Sequence, residues 1–166
     1  MLARRLAGPC YFIAFLFVVI PATDFISNVW PLQPGDFRWR FGMTGLLAGF
    51  LLTPLLGIML AGLVAAITED HRTLRLVSVV AAVGAVVLVI LVALFALDVI
   101  QFRPEVPADR RGPFDFANVR SIVKHLLAAG SLGWLARSGL GVTAEARAGK
   151  GKAPRAVATQ TLLKNS

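Results

Sequence analysis

The chain has 166 residues, 57% of them hydrophobic, and a mean hydropathy of +0.73. That is too apolar for an ordinary soluble domain and too short for most multi-domain membrane enzymes, so one helical bundle in a membrane is the expected class. The net charge of +8 (17 Lys and Arg against 9 Asp and Glu) is carried mainly after residue 100, which points to anionic lipid headgroups or an acidic neighbouring subunit. Nucleic acid is not expected, because no aromatic-basic interleaving accompanies the charge. The single cysteine, Cys10, excludes an internal disulfide, and no His/Cys/Asp/Glu grouping suggests a metal site.

Arg4 and Arg5 precede an apolar run from Leu6, which resembles the start of a signal peptide, but no A-x-A site follows and an uncleaved anchor is expected. This first span covers 6–29, with a kink or restart at Pro21. Asp24 stands near its end and is read as an interfacial residue. The stretch 30–42 contains Trp30, Pro31, Pro34, Gly35, Asp36, Arg38, Trp39 and Arg40. Its prolines force a turn, its tryptophans suit the headgroup level, and its arginines can reach phosphates or Asp36. A rigid surface connector is expected, able to anchor the chain or to dock a partner.

The second span, 41–67, is free of Asp, Glu, Lys and Arg. In it Gly45, Gly49, Thr53, Gly57, Ala61 and Ala65 recur every fourth residue and form a stripe of small side chains along one helix. Such a stripe is a groove into which a second helix can bring its backbone, so this span is read as made for packing. Pro54 removes a backbone donor and a bend is expected there.

The run W-P-x-x-P-G-D-x-x-W-R-F-G over 30–42, followed by 51–57 (L-L-T-P-L-L-G), resembles small uncharacterised multi-pass membrane proteins of GC-rich bacteria. More weakly, the chain resembles an accessory subunit of a bacterial photosynthetic reaction-centre and light-harvesting, or respiratory, membrane complex. That resemblance implies a helper and not a pigment-holding antenna polypeptide, since His71 and His125 both lie outside the apolar cores.

A short polar hairpin at 68–73 leads to the third span, 74–100, in which Ala81, Gly84 and Ala85 offer a second small patch to receive the middle helix. Asp98 lies near its exit, where pairing with Arg103 is expected. Residues 103–117 form a Pro-rich, charged linker, and 118–136 have helical periodicity. Val119, Ile122, Val123, Leu126, Gly130, Gly133 and Trp134 fall on one face, with Arg120, Ser121, Lys124, His125, Ala128 and Ser131 on the other. With few consecutive uncharged residues, this segment is expected to lie in the interface, and 137–166 to form an extended basic tail.

The expected architecture is therefore all-α and integral to the membrane. A transmembrane domain (1–102) has three spans, followed by an interfacial amphipathic helix and the tail, with a fourth transmembrane helix as the alternative. Lys and Arg counts favour a cytoplasmic C-terminus in a bacterial inner membrane, and a fourth span would put both ends on that side. The expected function is a non-catalytic accessory subunit that packs within and stabilises a larger membrane complex. Its helix-packing residues are the stripe, and its anchoring residues are Trp30, Asp36, Arg38, Trp39, Arg40 and Trp134. No nucleophile with a base, acid pair or phosphate loop supports an enzyme. The rival is a small transporter or proton-coupled protein using Asp24 and Asp98. No intrinsic cofactor is expected, while a bound lipid or neighbouring pigment stays open.

Overall fold

The computed structural model describes residues 2–151, with side chains from 6 to 142, and among these it is all-helical. The helices are α1 (Leu2–Val29), α2 (Phe37–Phe50), α3 (Leu52–Ile67), α4 (His71–Phe102) and α5 (Arg111–Gly151). Two short 3-10 turns, Arg103–Glu105 and Ala108–Arg110, join α4 to α5. α1 and α4 are each long and apolar enough to cross a membrane, and α2 with α3 form a third candidate if the bent pair is one span. These helices mark a membrane protein.

α1 runs without interruption through Pro9 and Pro21. The polar connector is shorter than its sequence suggests, because Asp36 accepts a hydrogen bond from the Arg38 backbone N–H at 2.8 Å and starts α2 there. α2 and α3 meet at 50° around Leu51, not at Pro54. The displacement has a simple cause: Pro54 cannot donate to the Phe50 carbonyl one turn earlier, and its ring pushes that carbonyl aside.

α3 ends in a Schellman motif, with Asp70 N–H donating to the Ala65 carbonyl and Glu69 N–H to Ala66. Glu69 occupies the left-handed position (φ 56°) usually taken by glycine. Asp70 then caps α4, accepting from the backbone of Arg72 and Thr73 and from the Thr73 hydroxyl at 2.6 Å. One carboxylate thus closes the turn between two antiparallel helices.

The helices alternate in direction. α1 lies antiparallel to α2 and α3: the Trp39 indole donates to the Val29 carbonyl at one end, Phe25 meets Phe50, and Gly57 meets Ala14, Phe17 and Val18 further along. α5 lies antiparallel to α4 along almost its whole length, from the Arg103–Asp115 pair past Gly84 against Leu132 to Ser78 against Gly139. The small patch at Ala81, Gly84 and Ala85 therefore receives α5, while Leu55 and Ile58 of the middle helix pack against the same cluster.

This placement corrects two expectations about the C-terminal part. The linker 103–117 is already helical from Arg111, and the helix runs beyond 118–136 in both directions to Gly151, into the expected tail. Residues 152–166 of that tail lie outside the described residues. The expected polar face of α5 is also split, with Arg120 and Lys124 exposed but other members turned inward. Ser121, His125 and Ala128 point inward with Asn118, Leu132 and Ala136, while Val119, Val123, Leu126 and Trp134 point outward. A bundle surrounded by hydrocarbon gains nothing by hiding valine and leucine, but must hide hydrogen-bonding groups and favours small residues where helices touch.

A Cβ on Gly57 would stand 2.7 Å from the Ala14 carbonyl oxygen, whereas one on Gly45 would meet nothing within 4 Å. Gly57→Val is accordingly expected to destabilise the folded protein by about 1–3 kcal/mol, and Gly45→Ala to leave it unchanged, as read by unfolding in mixed micelles. The Thr73 hydroxyl, with its backbone N–H, holds the Asp70 carboxyl below the usual carboxylate range. A depressed carboxyl stabilises fully above its unfolded pKa of about 3.9 and progressively less as pH falls through its folded value. Asp70→Asn should therefore flatten the loss of stability on acidification below about pH 4, measured by helicity against pH.

Candidate functional site

The buried polar groups are concentrated at one end of the bundle, between α2, α4 and α5. Thr44, Asp98, Asn118, Ser121 and His125 are all buried, Asp98 at 2% exposure and His125 at 0%. The register of α5 on α4 brings Asn118 level with Asp98, and His125 level with Leu91 and Val92. Charge enters this region only as an ion pair. Arg40 donates to both Asp98 oxygens, at 2.9 and 3.5 Å, and to the Pro34 carbonyl at 3.2 Å. Asp98 thus takes its partner from α2, while Arg103, expected to pair with it, holds Asp115 of α5 at 3.0 Å.

A layer of phenylalanines flanks the pair, with Phe95 and Phe102 about one turn either side of Asp98 on α4. Phe41 stacks on Phe95, Phe102 and Phe114 with centroids 5.3, 5.0 and 5.8 Å apart, and Phe37 joins Phe102 at 5.9 Å. These contacts join α2, the end of α4 and the start of α5. Arg38 adds a peripheral pair with Glu105 at 3.1 Å, mostly exposed and worth little alone.

Deeper in, the Thr44 hydroxyl donates to the Arg40 carbonyl, and His125 Nδ1 lies 2.8 Å from the Ser121 carbonyl. His125 Nε2, Ser121 Oγ and Asn118 Nδ2 are buried with no hydrogen-bond partner among the described residues. Three such atoms on one helix face make an uncommon polar cluster in an apolar bundle. His125 is therefore inside the core, contrary to the placement expected from sequence. Its signal was the i, i+3, i+7 spacing of Asn118, Ser121 and His125, which reads as a solvated face until the surroundings are known to be apolar.

The expected stripe is divided by the bend. Gly57 and Ala65 are buried and Ala61 half-buried where α3 is packed, with Gly57 against α1. Gly45, Gly49 and Thr53 remain exposed. Gly49 borders a cavity of about 260 Å³ with Ala48, Leu52, Lys124, Leu127 and Ser131. Of the anchoring residues, Trp39 is bonded to the end of α1 and Trp30 is 69% exposed beside it, next to a cis Trp30–Pro31 peptide bond. Trp134 is not with them: it is exposed far along α5, near the level of Gly84. Asp24 faces outward from α1 and shares no site with Asp98. No grouping of three potential metal ligands occurs among the described residues.

Compared with protein-family models, curated proteins and solved structures, the chain matches none.

Removing one member of the Arg40–Asp98 pair strands the other in the bundle, whereas removing both strands neither. Arg40→Met should lower the melting temperature, and Arg40→Met combined with Asp98→Leu should recover most of the loss. A strictly additive double-mutant cycle would contradict the coupling.

Proposed function

We propose that the protein is a non-catalytic accessory subunit of a larger bacterial inner-membrane complex. It crosses the membrane four times, with α1, the bent α2–α3 pair, α4 and α5 as the crossings. The fourth crossing is supported by the alignment of α5 with α4: where α4 traverses hydrocarbon, a helix lying along nearly all of it traverses too. Four crossings put Leu2 and Gly151, the ends of the described chain, on one side with Arg4, Arg5, Arg72, Arg75, Arg137, Arg147 and Lys150, against Arg38, Arg40, Arg103, Arg110, Arg111 and Arg120 on the other, and the slight excess favours the first side as cytoplasmic.

The observation that carries the accessory role is the face formed by Gly45, Gly49 and Lys124. The two glycines are open, and Lys124 is exposed beside Gly49 on a helix level with the α4 span. A lysine facing acyl chains at that depth is expensive, and it is relieved by snorkelling or by a partner's acidic or carbonyl group. The open Gly49 beside it allows a partner helix to approach closely enough to supply one. The rival proton-coupled reading is disfavoured, because Asp98 is held by Arg40 and Asp24 lies apart from it.

Gly49→Leu and Lys124→Glu are each expected to release the protein from its complex in mild detergent while leaving membrane insertion intact. Unchanged co-migration with a larger assembly in both variants would remove the basis of the reading. Crossing number is tested separately with an impermeant maleimide in whole cells, in a Cys10→Ala background. Cysteines at Gln33 and Ala108 should label from outside, and cysteines at Glu69 and Gly151 only after permeabilisation.

A further inference from the structure

We propose that the face of Gly49 and Lys124 seats a second copy of this chain, with Asp24 of one copy paired to Lys124 of the next. The inference rests on the docking face proposed above, whose occupant it names.

Asp24 is exposed on α1 and Lys124 on α5, and neither has an ion pair among the described residues, whereas Arg40 and Asp98 hold each other. Asp24 lies about 7 Å inside the Val29 end of the α1 span. A carboxylate there is costly without a cation, and its short stem carries it only part of the way to water. One contact between Asp24 and Lys124 relieves an acid and a base together.

The two charges lie at one depth. Phe25, next to Asp24, meets Phe50 at the end of α2, and Lys124 lines the hollow of about 260 Å³ with Ala48 and Gly49. Both therefore stand near the α2–α3 bend, within about one helical turn of each other along the bundle. They do not meet inside one molecule, because α1 packs on α2 and α3 while α5 packs chiefly on α4. Copies inserted in the same orientation keep the depth of every residue, so a neighbour presents its Asp24 at the height of Lys124.

The surrounding shape has the same register. Ile20 lies one turn further into the span than Asp24 and is 54% exposed. Since α5 runs opposite to α1, the hollow continues from Lys124 past Leu127 and Ser131 in that same direction. With α1 of a neighbour laid against α2 and α5, Ile20 enters the hollow as Asp24 reaches the ammonium, and the open Gly49 admits the close approach. The contact is head-to-tail, so it generates a ring or an open chain and not an isolated two-fold dimer.

The test uses full-length copies in a Cys10→Ala background, carrying Ile20→Cys with one tag or Leu127→Cys with another, which leaves Asp24 and Lys124 in place. Coexpressed and oxidised with copper phenanthroline in native membranes, the two are expected to give a disulfide-linked band bearing both tags. Ile26→Cys, exposed on the other side of α1, should give none with Leu127→Cys. Lys124→Glu in both copies should lower the mixed band about tenfold, the scale of one polar contact between membrane helices, and adding Asp24→Lys should restore it. Helicity and melting temperature equal to the parent's show that each variant folds. Absence of the mixed band, or a charge swap that restores nothing, overturns the proposal. Release of Lys124→Glu from the larger assembly separates the two ideas: release without a mixed band in the parent means that another protein occupies the face, and no release means that the docking face itself fails.

Discussion

The Arg40–Asp98 pair is the constraint around which the bundle is arranged. A carboxylate on the buried face of α4 is tolerable only if a cation reaches it from another helix, and the reach of arginine fixes how α2 sits against α4. Phe41, the next residue, then begins a stack that draws in Phe95, Phe102 and Phe114. Asp115 of α5 is bound to Arg103 beside that stack, so the start of α5 is positioned by the same set of contacts. Charge pairing gives direction and register, and ring stacking supplies the dispersion contacts that hold the register.

The other end of the bundle is assembled differently. There the helices meet through small residues: Gly57 on the backbone of α1, Gly62 against Leu135, and Gly139 over Ser78. Within hydrocarbon the hydrophobic effect between helices is absent, and close approach with many weak contacts replaces it. The bend at Leu51 separates the two regimes, since α2 follows the polar, aromatic end and α3 the glycine-packed end. It also explains why half of one small-residue stripe is filled within the molecule while the other half stays open.

The orientation of α5 connects the architecture to the proposed roles. Its buried face carries Asn118, Ser121 and His125, and its exposed face carries leucine, valine and tryptophan together with Lys124. One surface lies beside the open Gly49 of α2 and joins shape with an exposed cation at span depth, as a helical partner requires.

Much of this was legible in the chain. The apolar runs, their lengths and the prolines and charges between them specify helices and membrane character, because hydrocarbon thickness and backbone hydrogen bonding allow few other outcomes. Asp36 was legible only as part of a surface connector and Asp70 as part of a polar hairpin, while the glycine stripe read as a packing device. What the sequence could not decide was which partner each residue takes. Asp98 had Arg103 five residues away and Arg40 fifty-eight residues away, and only the juxtaposition of α2 with α4 selects the distant one. Whether Ser121 and His125 face water or the core also depends on what surrounds α5, and periodicity alone is silent on that. Local spacing determined the elements, and the tertiary structure decided their faces and pairings, because a helix has the same period whichever side is turned inward.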